Sequence, residues 1–148
     1  MKWRQAANDR RERGSVAVEF ALLLPVLLLL VFGIIDFGRA INDQITLSQA
    51  AREGVRLASL GYSSAAVTAR TESAAAPTLT LTAANITVTP ATSPACAPGA
   101  GNGVDAVVKL TYTFTFITPV GAFAAMFGTA SFGSTLSLSA TGEVPCET

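Results

Sequence analysis

The strongest constraint on this chain is a run of 21 residues, Ser15 to Ile35, apolar or small throughout apart from one carboxylate, Glu19. About 20 such residues in helical form cross the hydrocarbon core of a bilayer. The run therefore reads as a transmembrane helix. A charge at the centre of such a helix costs roughly 2.5 to 3.5 kcal/mol. Glu19 needs either a partner or a place near the hydrated headgroups, four residues in from Ser15. Pro25 lies inside the run, where it removes one backbone hydrogen bond and predicts a kink.

Charge distribution orients the helix. The formal net charge is zero, but residues 1–14 hold Lys2, Arg4, Arg10, Arg11 and Arg13 against Asp9 and Glu12. From Asp36 onward seven acidic residues outnumber five basic ones. Basic flanks stay in the cytoplasm, so the N-terminus is expected inside and the C-terminus outside. Residues 1–14 read as a polar, disordered cytoplasmic leader. A cleaved secretory signal fits less well, because the apolar run exceeds the roughly 7 to 15 residues of such a signal. Asp36, Phe37 and Arg39 also stand where its small-residue cleavage site would be. The expected organisation is a leader over 1–14, an anchor over 15–35, and one small extracytoplasmic domain over 36–148.

Past the anchor, Phe37, Ile41, Ile45, Ser48, Ala51, Val55 and Ala58 recur at spacings of four and three. That stripe predicts a helix over 36–60 with an apolar face. Arg39, Asp43, Gln44, Arg52, Glu53 and Arg56 are expected opposite it, and Gly61 is the expected stop. Ala50, Gly54 and Ala58 form a row of small residues that permits close packing, against a neighbouring helix or the protein's own sheet. Residues 63–77 suit a short helix ending before Pro77.

The character then changes to β. Strands are predicted near 86–89, 104–117 and 135–144. In the second, Leu110, Tyr112, Phe114 and Phe116 share one face, with threonines on the other and Pro119 as the stop. Residues 91–103 read as a turn-rich loop and 122–127 as a helical turn. The fold class is α+β: a transmembrane helix continuing into an amphipathic helix that packs on a small antiparallel sheet.

The chain has no histidine, which excludes Ser-His and Cys-His catalysis and histidine-zinc chemistry. Gly99-Ala100-Gly101-Asn102-Gly103 leads into a predicted strand, not a helix, so it is a turn and not a phosphate cradle. Asn85-Ile86-Thr87 matches a glycosylation sequon, a tripeptide short enough to arise by chance. Cys96 and Cys146 are an even pair in an exported domain, which suggests one disulfide; two buried thiols are the alternative. No catalytic residue, cofactor, metal, nucleic acid or small-molecule substrate is expected.

One constellation remains: Arg13-Gly14, four small or apolar residues, then Glu19-Phe20. This pattern resembles the prepilins of type IV-like pili, most closely the TadE-like family of the bacterial tight-adherence (Flp pilus) system. The anchor and the segment Gln49–Ser59 share the resemblance. It implies cleavage between Gly14 and Ser15 by a prepilin peptidase, with glycine allowing close backbone approach. It further implies that Glu19 pairs with the new α-amino group of a neighbouring subunit, offsetting the cost of a carboxylate in an apolar helix, with Phe20 as the motif aromatic. The partners implied are that peptidase, other pilins or pseudopilins, the inner-membrane secretion platform and membrane lipid. The place implied is the bacterial cytoplasmic membrane, as a single-pass minor pilin or pseudopilin in pilus assembly. A membrane-anchored binding domain that is never processed is the rival reading.

Overall fold

The computed structural model describes the backbone of residues 2–76, 78–97, 103–118 and 135–146, with side chains from residue 15 onward. The expected helical turn at 122–127, the Pro77 and Pro119 stops, and residues 99–102 of the glycine-rich turn lie outside the described residues. The chain divides into two units: Met1–Phe37 with Phe116–Gly133, and Gly38–Thr115 with Ser134–Thr148.

Helix α1 runs over Lys2–Ser59 and continues through Pro25. The leader, expected to be disordered, is helical from Lys2. Gln5, Ala6, Ala7, Arg10, Arg11, Glu12 and Arg13 are all good helix formers, and Gly14 alone does not interrupt them. At the other end the Tyr62 N–H donates to the Leu57 carbonyl (3.2 Å) and the Gly61 N–H to the Ala58 carbonyl (3.1 Å). Those two bonds are the Schellman pattern. It requires a left-handed residue, and Gly61 has φ +77°.

Helix α2, Ser64–Ala75, begins at Ser63, whose hydroxyl accepts the Ala66 N–H at 3.3 Å. The strands are β1 (Ile86–Thr89), β2 (Asp105–Thr115) and β3 (Thr135–Pro145). They form one antiparallel sheet in the order β1-β2-β3. Leu110 and Phe114 of β2 are buried and Tyr112 is half-buried, as period-two alternation requires, while Thr111, Thr113 and Thr115 face out. The α+β class and the antiparallel sheet are as expected.

The second unit's core corrects the expected helix stripe. The residues of α1 that are buried in this unit are Ala40, Asp43, Leu47, Ala50, Ala51, Gly54, Val55, Ala58 and Ser59. Phe37, Ile41 and Ile45, expected inside, are 58%, 60% and 52% exposed, and Asp43, expected outside, is buried. The expected and observed lines meet at Ala51, Val55 and Ala58 and diverge toward the N-terminus. Backbone proximity decides between them. A Cβ on Gly142 of β3 would stand 2.7 Å from the Ala51 carbonyl oxygen, so helix and strand touch almost main chain to main chain. The face of α1 turned to so close a strand is dominated by small residues, with Leu47 and Val55 among them. The bulky Ile41 and Ile45 are left on another side.

Cys96 and Cys146 form a disulfide with Cα atoms 5.5 Å apart, tying the loop after β1 to the end of β3.

Candidate functional site

In the first unit, none of the residues from Ser15 to Ile35 is buried. Among the described residues this is the one helical segment long and apolar enough to cross a membrane. An apolar surface left largely open, with only Leu28, Phe32 and Gly33 half-covered, is what a lipid-facing or partner-facing helix requires, and not what a core helix shows. Glu19 is exposed on it, with Phe20 beside it at 59%. Leu23, Val26 and Leu30 follow at four, seven and eleven residues, on the same helical face as Glu19. With Phe20, Leu24 and Leu27 they line a shallow apolar groove that starts at the residue after the carboxylate. Gly14 and Ser15 lie within the helix, Ser15 exposed.

The exit of the anchor carries a residue that sequence reasoning missed. Asp36 is 1% exposed. Its carboxylate accepts the backbone N–H groups of Ile117 (3.4 Å) and Thr118 (3.3 Å) and the Thr118 hydroxyl. Charge-assisted bonds to main-chain amides are roughly twice as strong as neutral ones. Asp36 thus fastens the chain just after β2 to α1, and β2 stops at Thr115, short of the expected Ile117. The only available signal was a carboxylate closing an apolar run, which reads equally well as a membrane boundary.

Three more α1 side chains act in the second unit. Arg39 stacks its guanidinium over the Phe114 ring, 5.1 Å from the centroid. Burial pushes the Asp43 carboxyl above the ordinary carboxylate range, and the nearby Arg39 charge pulls it down by less. The Gln44 side-chain amide donates to the Ser139 carbonyl of β3 at 2.8 Å.

The row Ala50, Gly54, Ala58 faces inward. Ala50 and Ala58 are fully buried, and a Cβ on Gly54 would collide with the Thr71 hydroxyl of α2 and lie 3.4 Å from Val108 of β2. Of the two packing roles that the row allowed, the structure uses the internal one. Cys96 and Cys146 are consumed by their mutual bond. Among the described residues no group of three or more Asp, Glu or Cys could hold a metal.

The architecture defines a class: a helix fit to span a membrane, continued into an α+β unit stapled by one disulfide. Within that class, residues 14–56 match the model of the TadE-like protein family, the family that the sequence resembles. The match opens at Gly14 and takes in Glu19, Phe20, the apolar segment and most of the rest of α1. No curated protein and no solved structure matches the chain. The matched residues, 43 of the chain's 148, take in the helical segment long and apolar enough to cross a membrane, and similarity to this family points toward a Tad-type pilus.

Proposed function

We propose that this chain is a TadE-like minor pilin or pseudopilin, a non-enzymatic membrane-anchored subunit in the assembly of a Flp-type pilus. The observation that supports this best is the coincidence of three features at one place. The family match starts at Gly14, the apolar run starts at Ser15, and the one carboxylate in that run is Glu19. A prepilin peptidase cuts after Gly14 and leaves Ser15 as the new N-terminus. Since the backbone is helical through this bond, the leader has to unwind locally to be cut. Glycine eases that step, being worse than alanine in a helix by about 1 kcal/mol.

Cleavage removes the leader and exposes an α-amino group four residues before Glu19. In the bilayer a lone carboxylate is costly and a paired one much less so. Glu19 of one subunit therefore selects a neighbour that offers a positive group at the same depth. The basic leader and acidic remainder set the N-terminus in the cytoplasm, with residues 36–148 outside the inner membrane. The partners in this reading are the peptidase, other pilins or pseudopilins and the inner-membrane secretion platform.

Intact mass of the membrane-extracted protein, with and without the host's prepilin peptidase, tests the proposal. The mature chain should begin at Ser15 only when the peptidase is present and Gly14 is intact; Gly14→Leu should keep the leader. Glu19→Ala should be processed normally yet fail to assemble. A chain that keeps Met1–Gly14 in every strain would instead be an unprocessed anchored binding domain.

A further inference from the structure

We infer that Gln44 is an edge guard: its side-chain amide occupies the outward-pointing carbonyl at the middle of β3 and keeps the β3 strand of a second copy from pairing there. Among the described residues the sheet ends at β3, and hydrogen-bond parity shows what that edge presents. The Cys146 N–H donates to the Val104 carbonyl at 3.0 Å. The register runs without a bulge from Asp105 opposite Pro145 to Thr115 opposite Thr135. Antiparallel pairs alternate between bonded and non-bonded, so the even-numbered residues of β3 exchange their ladder bonds with β2. The main-chain groups of Thr135, Ser137, Ser139, Thr141 and Glu143 point the other way. The Gln44 bond to the Ser139 carbonyl, across 95 residues of sequence, agrees with this parity. Among the described residues no other donor or acceptor meets these outward groups.

Such an edge invites association. Proteins blunt free edges with charge, proline or a bulge. From Thr135 to Gly142 β3 has none of these, and it alternates hydroxyl and small or aliphatic side chains in the way that favours strand stacking. A second β3 fits it antiparallel about Leu138. Ser137 then stands opposite Ser139 and Thr135 opposite Thr141, hydroxyl pairs that cross-strand packing favours. On the other face Leu138 meets its counterpart, and Leu136, 42% exposed, gains cover from Ala140. This register needs the Ser139 carbonyl for the N–H of the second copy's Ser137. Gln44 already holds it from a rigid helix, and half-burial limits the side chain's freedom to swing away.

The test uses the full chain extracted in detergent, its native disulfide left oxidised. Chains carrying Ser137→Cys are mixed with chains carrying Ser139→Cys, and a short bifunctional thiol reagent traps pairs. Gln44→Ala should raise the cross-linked fraction about fivefold, within the range that the net worth of one hydrogen bond sets. Gln44→Lys, which keeps a donor, should return it to the wild-type level. Adding Thr135→Pro to Gln44→Ala removes one outward N–H and leaves the β2 ladder intact, and should abolish the gain. An unchanged cross-linked fraction in Gln44→Ala overturns the inference, even if the melting temperature falls, because Gln44 would then be a packing residue only. Cross-linking that survives Thr135→Pro overturns it too, since the association would not run through the edge.

Discussion

At the scale of single residues, the contacts that decide this fold are close approaches, and they set opposed effects against each other. Gly54 is the sharpest case. Alanine there would gain about 1 kcal/mol of helix preference, yet its methyl would enter the Thr71 hydroxyl, which is fully buried and donates to the Val67 carbonyl at 2.8 Å. Overpacking of this kind costs about 1 to 3 kcal/mol, so Gly54→Ala should destabilise the second unit. In a Thr71→Ala background the same change should become neutral or stabilising. A double-mutant cycle by urea unfolding measures the difference, and additive effects would contradict the contact. Asp43 offers a pH-dependent counterpart. Burial holds its folded pKa above the ordinary 3.8, so the folded state binds more protons than the unfolded one between those two values. Stability from this group is therefore fully present below the ordinary value and is lost as pH rises through the folded one. Asp43→Asn should raise the melting temperature at neutral pH, and the gain should shrink to nothing in acid below pH 3.8. A gain that grows on acidification would mean that Arg39, not burial, dominates the site.

At the scale of elements, the helix and the strands differ in how much their residues revealed. Leu110, Phe114 and their intervening threonines announce β2 because a strand's side chains alternate strictly, so a correct strand is also a correct face. Helix α1 was legible as a helix but not in rotation. Phe37, Ile41 and Ile45 form as regular a stripe as Ala40, Asp43, Leu47 and Ala51, and hydrophobicity favours the first. What favours the second is the nearness of Gly142 to the Ala51 carbonyl, a tertiary fact with no local trace. The candidate site shows the same division. Gly14, Glu19 and Phe20 stood out because a charge in an apolar run is conspicuous, whereas Asp36, Arg39 and Gln44 matter through partners 75 to 95 residues away. The rotation is testable. Ile41→Ser and Ile45→Ser should shift stability by no more than about 0.5 kcal/mol, the usual range for exposed positions. Leu47→Ala, at a fully buried position, should cost about 2 to 5 kcal/mol. Equal losses at Ile41 and Leu47 in chemical denaturation would restore the stripe expected from the sequence.

At the scale of the whole molecule, the charge asymmetry and the disulfide make one statement about compartment. In the orientation proposed above, residues 36–148 leave the cytoplasm, and only there does a thiol pair become a lasting cross-link. Cys96 and Cys146 are the chain's only cysteines, so their redox state reports its topology without an added tag. Quenching cells in acid, denaturing them and then alkylating with a maleimide polymer should leave the wild-type chain unshifted on a denaturing gel. Prior treatment with a reductant should add the mass of two labels. A chain inserted with its C-terminus inside would keep both thiols reduced and shift without reductant, which would refute the orientation and place the leader out of reach of a cytoplasmic-face peptidase. The same bond has a calculable weight. It spans 50 residues of sequence, and by the chain-entropy model closing a loop of that size contributes about 4 kcal/mol. Typical small domains hold roughly 5 to 15 kcal/mol in all. Cys96→Ser with Cys146→Ser should therefore remove a large share of the exported unit's stability while leaving membrane insertion unchanged, since none of the residues of α1 from Ser15 to Ile35 depends on burial in that unit. Limited proteolysis of membranes bearing the double variant should then degrade the exported part and spare the anchor. An exported part that stays as resistant as wild type would show that helix-to-sheet packing alone holds it together.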